Sequence, residues 1–101
     1  MASGVNLVDY ATLTVSTTVV TLAADASPTL PDRAKRAFIT CEDNQVRWRS
    51  DGTDPTKTEG HSLAADDSIS FTGIDYRQQL ENMRFIRTDD GDGKIKITYF
   101  D

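Results

Sequence analysis

The sequence has few of the residues that form disulfides and metal sites. It contains one cysteine, Cys41, and one histidine, His61, so neither an internal disulfide nor a zinc site with several histidines is available. No apolar run approaches the roughly 20 residues of a transmembrane helix. The first residues lack the basic segment of a signal peptide. We therefore expect a protein that is made in a cytoplasm and that neither crosses a membrane nor carries its own secretion signal.

Basic residues are missing from the first third of the chain. Residues 1–32 contain no Lys or Arg, and all 11 basic residues lie from Arg33 onward. The chain has 16 acidic residues and a formal net charge of −5, which disfavours nucleic-acid binding because phosphates are neutralised by a surplus of basic side chains. The neutral, Thr-rich first third is typical of a segment that contacts protein.

Hydrophobic residues alternate with polar residues along most of the chain, and this period of two indicates strands. Turn-forming residues separate about eight such segments. The predicted strands are residues 10–15, 18–22, 34–42, 46–50, 61–63, 67–71, 83–88 and 94–100, with one short helical turn in residues 74–82. The pattern predicts one all-β domain over residues 1–101, an antiparallel β-sandwich or small jelly roll. Residues 1–9 are a potential N-terminal arm.

Two turn signals lie between predicted strands. Asp43-Asn44 and the run DDGDG at residues 89–93 are rich in residues that form tight turns, so each predicts a hairpin. In the flanking strands the alternation places Cys41 on the core side of one strand and Ile97 and Tyr99 on the core side of another.

The aspartates of the second turn raise the question of a cation site. A calcium hand that began at Asp89 would need a Glu at its twelfth position, where the sequence has Phe100. The flanking segments are predicted strands rather than helices. A plain turn is therefore favoured, and an irregular site of Asp89, Asp90 and Asp92 stays open as the alternative.

No set of residues indicates catalysis. Cys41 and His61 would form a nucleophilic pair if they met, but Cys41 is predicted to be a small buried side chain. The sequence also lacks a glycine-rich phosphate loop and a nucleophile elbow. We expect a non-enzymatic protein without a metal or cofactor.

Basic side chains recur at every second position of several predicted strands. They would form a patch for an anionic partner, or cross-strand ion pairs with nearby carboxylates such as Glu42 and Asp67. Because the carboxylates are interleaved with them, ion pairs are favoured. The basic residues concerned are Arg47, Arg49, Arg84, Arg87, Lys94 and Lys96.

Two regions are predicted to contact a partner. Residues 7–20 carry almost no charge to protect a strand edge, so we expect their edge to be covered by their own sheet or by another subunit. In residues 52–60, Pro55 is expected to stiffen the loop and Gly60 to return the chain to the sheet. The predicted contact residues are Leu7, Tyr10, Leu13, Val15, Val20, Thr53, Asp54, Pro55 and Lys57.

The stretch AKRAFITCEDNQVRWRSDGTDPTKTEGHSL, together with DSISFTG and MRFIRTDDGDGKIKITYF, resembles a family of small virion structural proteins of tailed bacteriophages. The resemblance covers roughly residues 13–100, and its most specific part is the DGT, PT and GH of residues 51–61. Cys41 and Asp43-Asn44 depart from the pattern. The resemblance implies a β-sandwich or jelly-roll subunit without enzymatic activity, such as a capsid decoration (cement) protein or a head or tail accessory.

That resemblance also implies partners and a location. The expected partners are the major capsid protein or other virion subunits, and the expected location is the virion, assembled in the cytoplasm of a bacterial host. The unprotected N-terminal strands suggest in addition a homo-oligomer.

A shorter stretch supports a competing hypothesis. The run DGTDPT is also similar to a turn of small β-sandwich modules that are appended to chitin- and hexosamine-acting enzymes. That similarity implies a carbohydrate-binding or host-attachment module, with Trp48 and Tyr76 as stacking residues. Trp48 is predicted on the apolar face beside Val46, however, which favours packing in the core.

Overall fold

The computed structural model describes residues 6–101, which form eight β-strands and one short α-helix. The strands are β1 (Leu7–Val15), β2 (Val20–Thr21), β3 (Arg36–Glu42), β4 (Val46–Arg49), β5 (His61–Leu63), β6 (Ser68–Phe71), β7 (Arg84–Arg87) and β8 (Gly93–Phe100). The helix α1 (Arg77–Asn82) lies between β6 and β7. Strands and helix therefore occur where the alternation and the predicted helical turn placed them.

The strands form two antiparallel sheets that face each other. The front sheet has the order β1-β8-β3-β6, and the back sheet has the order β2-β7-β4-β5. The pairs β1 with β8, β2 with β7, β3 with β6 and β4 with β5 are those of one long hairpin folded over into two sheets. That arrangement is a jelly roll. The predicted all-β sandwich is confirmed.

Both predicted hairpins are wrong. β3 pairs with β6 and β8, whereas β4 pairs with β5 and β7, so Asp43-Asn44 carries the chain from the front sheet to the back sheet. Residues 88–92 carry it in the opposite direction, from β7 of the back sheet to β8 of the front sheet. Asp43 has φ 75°, in the left-handed region that Asp tolerates in turns. The local sequence thus identified the turns but not the sheets that they join.

The core lies between the two sheets and is built from alternate residues of each strand. On β3 and β8 every second side chain is at most 1% exposed, because the other residues of each strand point to the outside. These core residues are Ala37, Ile39, Cys41, Ile95, Ile97 and Tyr99. Phe85 on β7 is also fully buried, so it fills the back of the same core.

The helix α1 is held by tertiary contacts, because an isolated helix of six residues is unstable in water. Leu80 is fully buried. Arg77 donates hydrogen bonds to the carbonyl oxygens of Pro31 and Ala34, the latter at 3.1 Å, and its Nε lies 2.8 Å from Glu81 Oε2. Arg77 therefore ties α1 to the segment before β3. In residues 6–101 no helix has the length and apolarity needed to span a membrane.

The N-terminal strand occupies one edge of the front sheet. β1 begins at Leu7 and pairs with β8 along its length, with a register shift between Leu7 and Asp9. The prediction of an N-terminal arm over residues 1–9 is therefore wrong for residues 7–9, which belong to the sheet. Residues 1–5 lie outside the described residues.

Candidate functional site

The loop over residues 50–60 connects β4 to β5 and is fixed by an arginine beneath it. Arg47 Nε donates to the carbonyl oxygen of Lys57 at 2.9 Å, and its Nη1 donates to that of Gly60 at 2.6 Å. Arg47 lies on the middle of β4, whose position is set by pairing on both sides. The Arg47 side chain thereby holds the C-terminal half of the loop.

A compact turn forms the tip of this loop. The amide of Thr56 donates to the carbonyl of Glu59 at 2.9 Å, and the Thr56 hydroxyl accepts bonds from the amides of Thr58 and Glu59 at 3.3 and 3.0 Å. These bonds satisfy backbone groups that an irregular loop would leave to water. The exposed residues 56–59 therefore have a defined conformation.

Pro55 and Gly60 close the loop against β4. The Pro55 side chain is fully buried. Gly60 has φ +132°, and a Cβ at this position would lie 3.2 Å from both Pro55 Cβ and the Trp48 carbonyl oxygen. Glycine is required there for the backbone conformation and for the close approach.

Ion pairs fix the N-terminal half of the loop. Arg49 pairs with Asp51 through both carboxylate oxygens, with Nε 3.0 Å from Oδ1, and the amide of Thr53 donates to Asp51 at 3.2 Å. The Arg49 hydrogen bond and the amide of Thr53 lower the pKa of Asp51 to about 2. Arg84 of β7 lies 2.6 Å from Asp54. The loop is thus anchored at several points while its outer side chains stay exposed.

Three of the four arginines concerned, Arg49, Arg84 and Arg87, form ion pairs, but not the predicted ones. Their partners are carboxylates of loops, such as Asp51, Asp54 and Asp92, rather than carboxylates across a strand pair. The sequence pattern predicts which face of a sheet a residue occupies, but it does not predict that a loop folds back over that face. Glu42 lies directly opposite Lys94 in the register.

A cleft of about 300 Å³ opens beside this loop. Its lining residues are Arg49, Ser50, Asp51, Glu59, Gly60 and His61. Arg49 is already paired with Asp51, and the His61 ring packs on Trp48 with a centroid distance of 4.8 Å. The Arg49 guanidinium and the His61 imidazole of the cleft therefore both have partners within the chain.

Cys41 and His61 are not brought together. Cys41 is fully buried on β3 of the front sheet, with Sγ 3.2 Å from the carbonyl oxygen of Asn44, and His61 is exposed on β5 of the back sheet. Burial, and then the nearby Asp67 and other carboxylates, raise the pKa of the Cys41 thiol to about 11. This thiol has the environment of a core residue.

The Asp-rich turn is tied to its neighbours. Asp92 Oδ1 accepts a bond from Arg87 at 2.7 Å, and the Asp92 carbonyl accepts one from the Asn44 side chain at 3.1 Å. Within residues 6–101, no three His, Cys, Asp or Glu side chains are grouped so that they could hold a metal ion. Asp92 thus acts as a link between two connections of the jelly roll.

The predicted contact residues divide into buried and exposed groups. Leu13 and Val15 are 2% and 0% exposed in the core, and Pro55 lies under the loop, so these three assignments are corrected: their side chains are not on the surface. Along β1 only the residues that alternate with them reach the surface. Val20 is half-buried on β2.

The remaining predicted contact residues lie on the surface in two places. Leu7 and Tyr10 are 65% and 52% exposed on β1. Thr53, Asp54 and Lys57 are exposed on the loop over residues 50–60. Phe38 of β3, which is 43% exposed, was not among the predicted contact residues; its place on the polar side of its strand was the available signal.

The free edge of β1 is partly covered by its own chain. The amide and carbonyl of Thr12 form hydrogen bonds of 3.0 and 2.8 Å with Ser27, and the amide of Tyr10 donates to the Asp9 side chain at 2.8 Å. Two consecutive outward amides of this edge therefore have partners. This agrees with the expectation that the edge is covered, and the covering segment is the β2–β3 connection.

Trp48 and Tyr76 belong to a packed aromatic cluster. Phe71 contacts both, with ring centroids 6.1 Å from Trp48 and 5.1 Å from Tyr76. Both rings are half-buried, and Trp48 packs on the core. Each ring is therefore packed against at least one other aromatic side chain of the domain.

Comparison of the chain with protein-family models, with curated proteins and with solved structures returns no match.

Proposed function

We propose that this chain is a non-enzymatic structural protein of a phage virion, most specifically a capsid decoration protein that binds the capsid lattice and stabilises the particle. One observation carries the proposal. The residues most specific to the phage resemblance, in residues 51–61, are those that build the anchored loop: Asp51 pairs with Arg49, Pro55 is buried, and Gly60 has a conformation that suits glycine. A sequence signature that preserves the shape of a loop is expected where that shape meets a partner.

The fold adds weaker support. Jelly rolls form viral capsid proteins, but also lectins and cupins, so architecture alone does not decide among these functions. A preorganised loop reduces the entropy that is lost on binding. On a particle with many identical sites, modest contacts of each copy add up through avidity when copies are linked.

The proposed partner is the major capsid protein or another virion subunit, and the proposed location is the virion after assembly in the host cytoplasm. Self-association of the chain belongs to the same proposal. β1 is a nine-residue edge strand, and beyond the Thr12–Ser27 bridge its residues 13–15 have no strand partner on the outer side among residues 6–101. Sedimentation equilibrium of the purified chain at high concentration tests this part, and a monomer at all concentrations would contradict it.

The test of the function uses particles of the phage that encodes the chain, assembled without it. The purified chain is expected to co-sediment with these particles and to raise the temperature at which they release DNA. The variant Lys57→Glu changes the exposed loop and is expected to weaken binding. Lys35→Glu makes the same charge change at an exposed position away from the loop and serves as the matched control.

A chain that does not co-sediment with the particles contradicts the proposal. A glycan array addresses the competing hypothesis of a carbohydrate-binding or host-attachment module. Specific glycan binding that disappears in Trp48→Ala, with the fold retained, would favour that hypothesis instead.

A further inference from the structure

The outward-facing surface of the front sheet, called the front face below, carries most of the exposed apolar side chains. Tyr10 and Phe38 both lie opposite Thr98 of β8, so the three residues form one row across β1, β8 and β3. Leu7 lies opposite Phe100 at the same end of the sheet. Three of the four large hydrophobic residues that are exposed in residues 6–101 are therefore neighbours on one surface.

This apolar group is held on rigid elements. Tyr10 and Phe38 are separated by one strand, which corresponds to about 10 Å between their backbones. β8 between them pairs with β1 on one side and with β3 on the other, so the spacing is fixed by the sheet. Exposed aromatic side chains on a rigid surface are enriched in the centres of protein interfaces.

The charges around the apolar group are opposite in sign to those of the whole chain. The outward positions of β3 and β8 include Arg36, Lys94 and Lys96 but only one carboxylate, Glu42. Arg36 is bonded within the chain, through Nε to the Gly73 carbonyl and through Nη1 to the Asp101 backbone oxygen, whereas Lys94 and Lys96 form no ion pair with a carboxylate of the described residues. On the outward positions of β3 and β8 cations therefore outnumber carboxylates by three to one, on a chain with a net charge of −5.

Of the other two strands of the front sheet, only β1 adds a charged residue, Asp9. The outward residues of β6 are Ser68 and Ser70, and those of β1 near its centre are Thr12 and Thr14. Asp9 lies at the register shift, where its carboxylate accepts the Tyr10 amide. Lys96 thus has threonines as its direct neighbours across both strand pairs.

We propose that the front face docks an acidic protein surface of the virion, with an apolar centre of Leu7, Tyr10, Phe38 and Phe100 and with Lys94 and Lys96 opposite carboxylates of the partner. The inference rests on the proposed function and adds the surface and the chemistry of the partner. Charge complementarity selects this occupant. A second copy docked symmetrically would bring the same cations together, which is unfavourable.

The experiment measures binding of chain variants to the particles assembled without the chain. Tyr10→Thr with Phe38→Thr removes the aromatic rings and keeps β-branched residues in the strands. Lys96→Glu reverses one charge of the front face, and Lys35→Glu, the same charge change at an exposed position outside both the loop and the front sheet strands, is its matched control. We expect the double variant to lose binding and Lys96→Glu to weaken it about tenfold or more, as close charge pairs across interfaces do.

A second readout locates the contact directly. A carbodiimide joins a lysine amine to a carboxylate in direct contact, so the bound wild-type chain is expected to yield cross-links from Lys94 or Lys96 to Asp or Glu of the capsid. Binding is also expected to fall as salt rises. Circular dichroism and thermal melting check each variant, and if the double variant does not fold, Lys96→Glu and the cross-links still decide.

The outcomes separate this inference from the proposed function. Normal binding by the double variant and by Lys96→Glu, with cross-links only from Lys57, overturns the docking surface and leaves the virion function intact. Absence of wild-type binding contradicts both. If the free chain forms a dimer and the double variant does not, a second copy of the chain is the occupant of the front face. If the wild-type chain binds neutral glycans independently of salt and the double variant does not, the occupant is a carbohydrate. Either result overturns the acidic protein partner.

Discussion

The anchored loop depends most on Arg47, and Arg47→Met is the sharpest perturbation of it. The substitution keeps an unbranched side chain but removes the donors to the carbonyl oxygens of Lys57 and Gly60, which lie at 2.9 and 2.6 Å. Hydrogen bonds from a charged group contribute about 1.5–3 kcal/mol each when buried. Because Arg47 is only half-buried, we expect about 1–3 kcal/mol for both together.

This loss should appear as local opening of the loop, since Arg47 contacts the loop and not the core. Amide hydrogen exchange measures such opening. The amides of Thr56 and Glu59, which bond within the loop, are expected to exchange about 5- to 150-fold faster, at 1.4 kcal/mol per tenfold. Amides between β3 and β8 should keep their rates.

Two variants serve as controls. Arg33→Met removes a guanidinium that forms only an exposed ion pair with Asp101, and it should leave the loop amides unchanged. Arg47→Lys keeps the charge but loses the rigid fork of Nε and Nη1 that reaches the two carbonyl oxygens, so an intermediate rate is expected. Unchanged exchange of Thr56 and Glu59 in Arg47→Met would refute the anchoring role.

Three further predictions concern single residues. Gly60→Ala should destabilise the protein by about 1–3 kcal/mol in denaturant unfolding, and by more than Gly52→Ala, because a Cβ at Gly52 would make only ordinary contact, with its nearest neighbour at 3.8 Å; equal losses would contradict the packing argument. The Asp51 carboxylate should titrate near pH 2 by NMR, so its contribution to stability is complete above pH 3.8 and is lost as the pH falls towards 2; titration near 3.8 would contradict the Arg49 pair. The Cys41 thiol should not react with a thiol reagent until the chain unfolds, and rapid reaction of the native protein would contradict its burial. Because folding raises the pKa of this thiol from 9.0 to about 11, the stability of the protein should fall as the pH rises from 9 to 11.

The strands and their faces could be predicted from the sequence because alternation is a local signal. Ile97 and Tyr99 are buried as their spacing indicates. The pairing of strands could not be predicted in the same way. Asp43-Asn44 has the residues of a tight turn, but whether the next strand pairs with the previous one or enters the opposite sheet depends on contacts distant in sequence.

The candidate site was predicted in part for a related reason. Pro55 and Gly60 were correctly assigned to a structured loop, whereas the anchoring role of Arg47 depends on the loop folding back over β4. The front face was missed because Tyr10 and Phe38 are 28 positions apart in the sequence and become neighbours only through β8. Leu13 and Val15 were assigned to a contact surface because the N-terminal segment was treated as a whole rather than face by face.

The decisive measurement is a residue-resolution reconstruction of the virion. We expect copies of this jelly roll on the particle, with the front face against carboxylates of the capsid and the loop over residues 50–60 in contact with a virion subunit. Particles that carry no copy of the chain, or copies held through other surfaces with the front face and the loop in solvent, would contradict it.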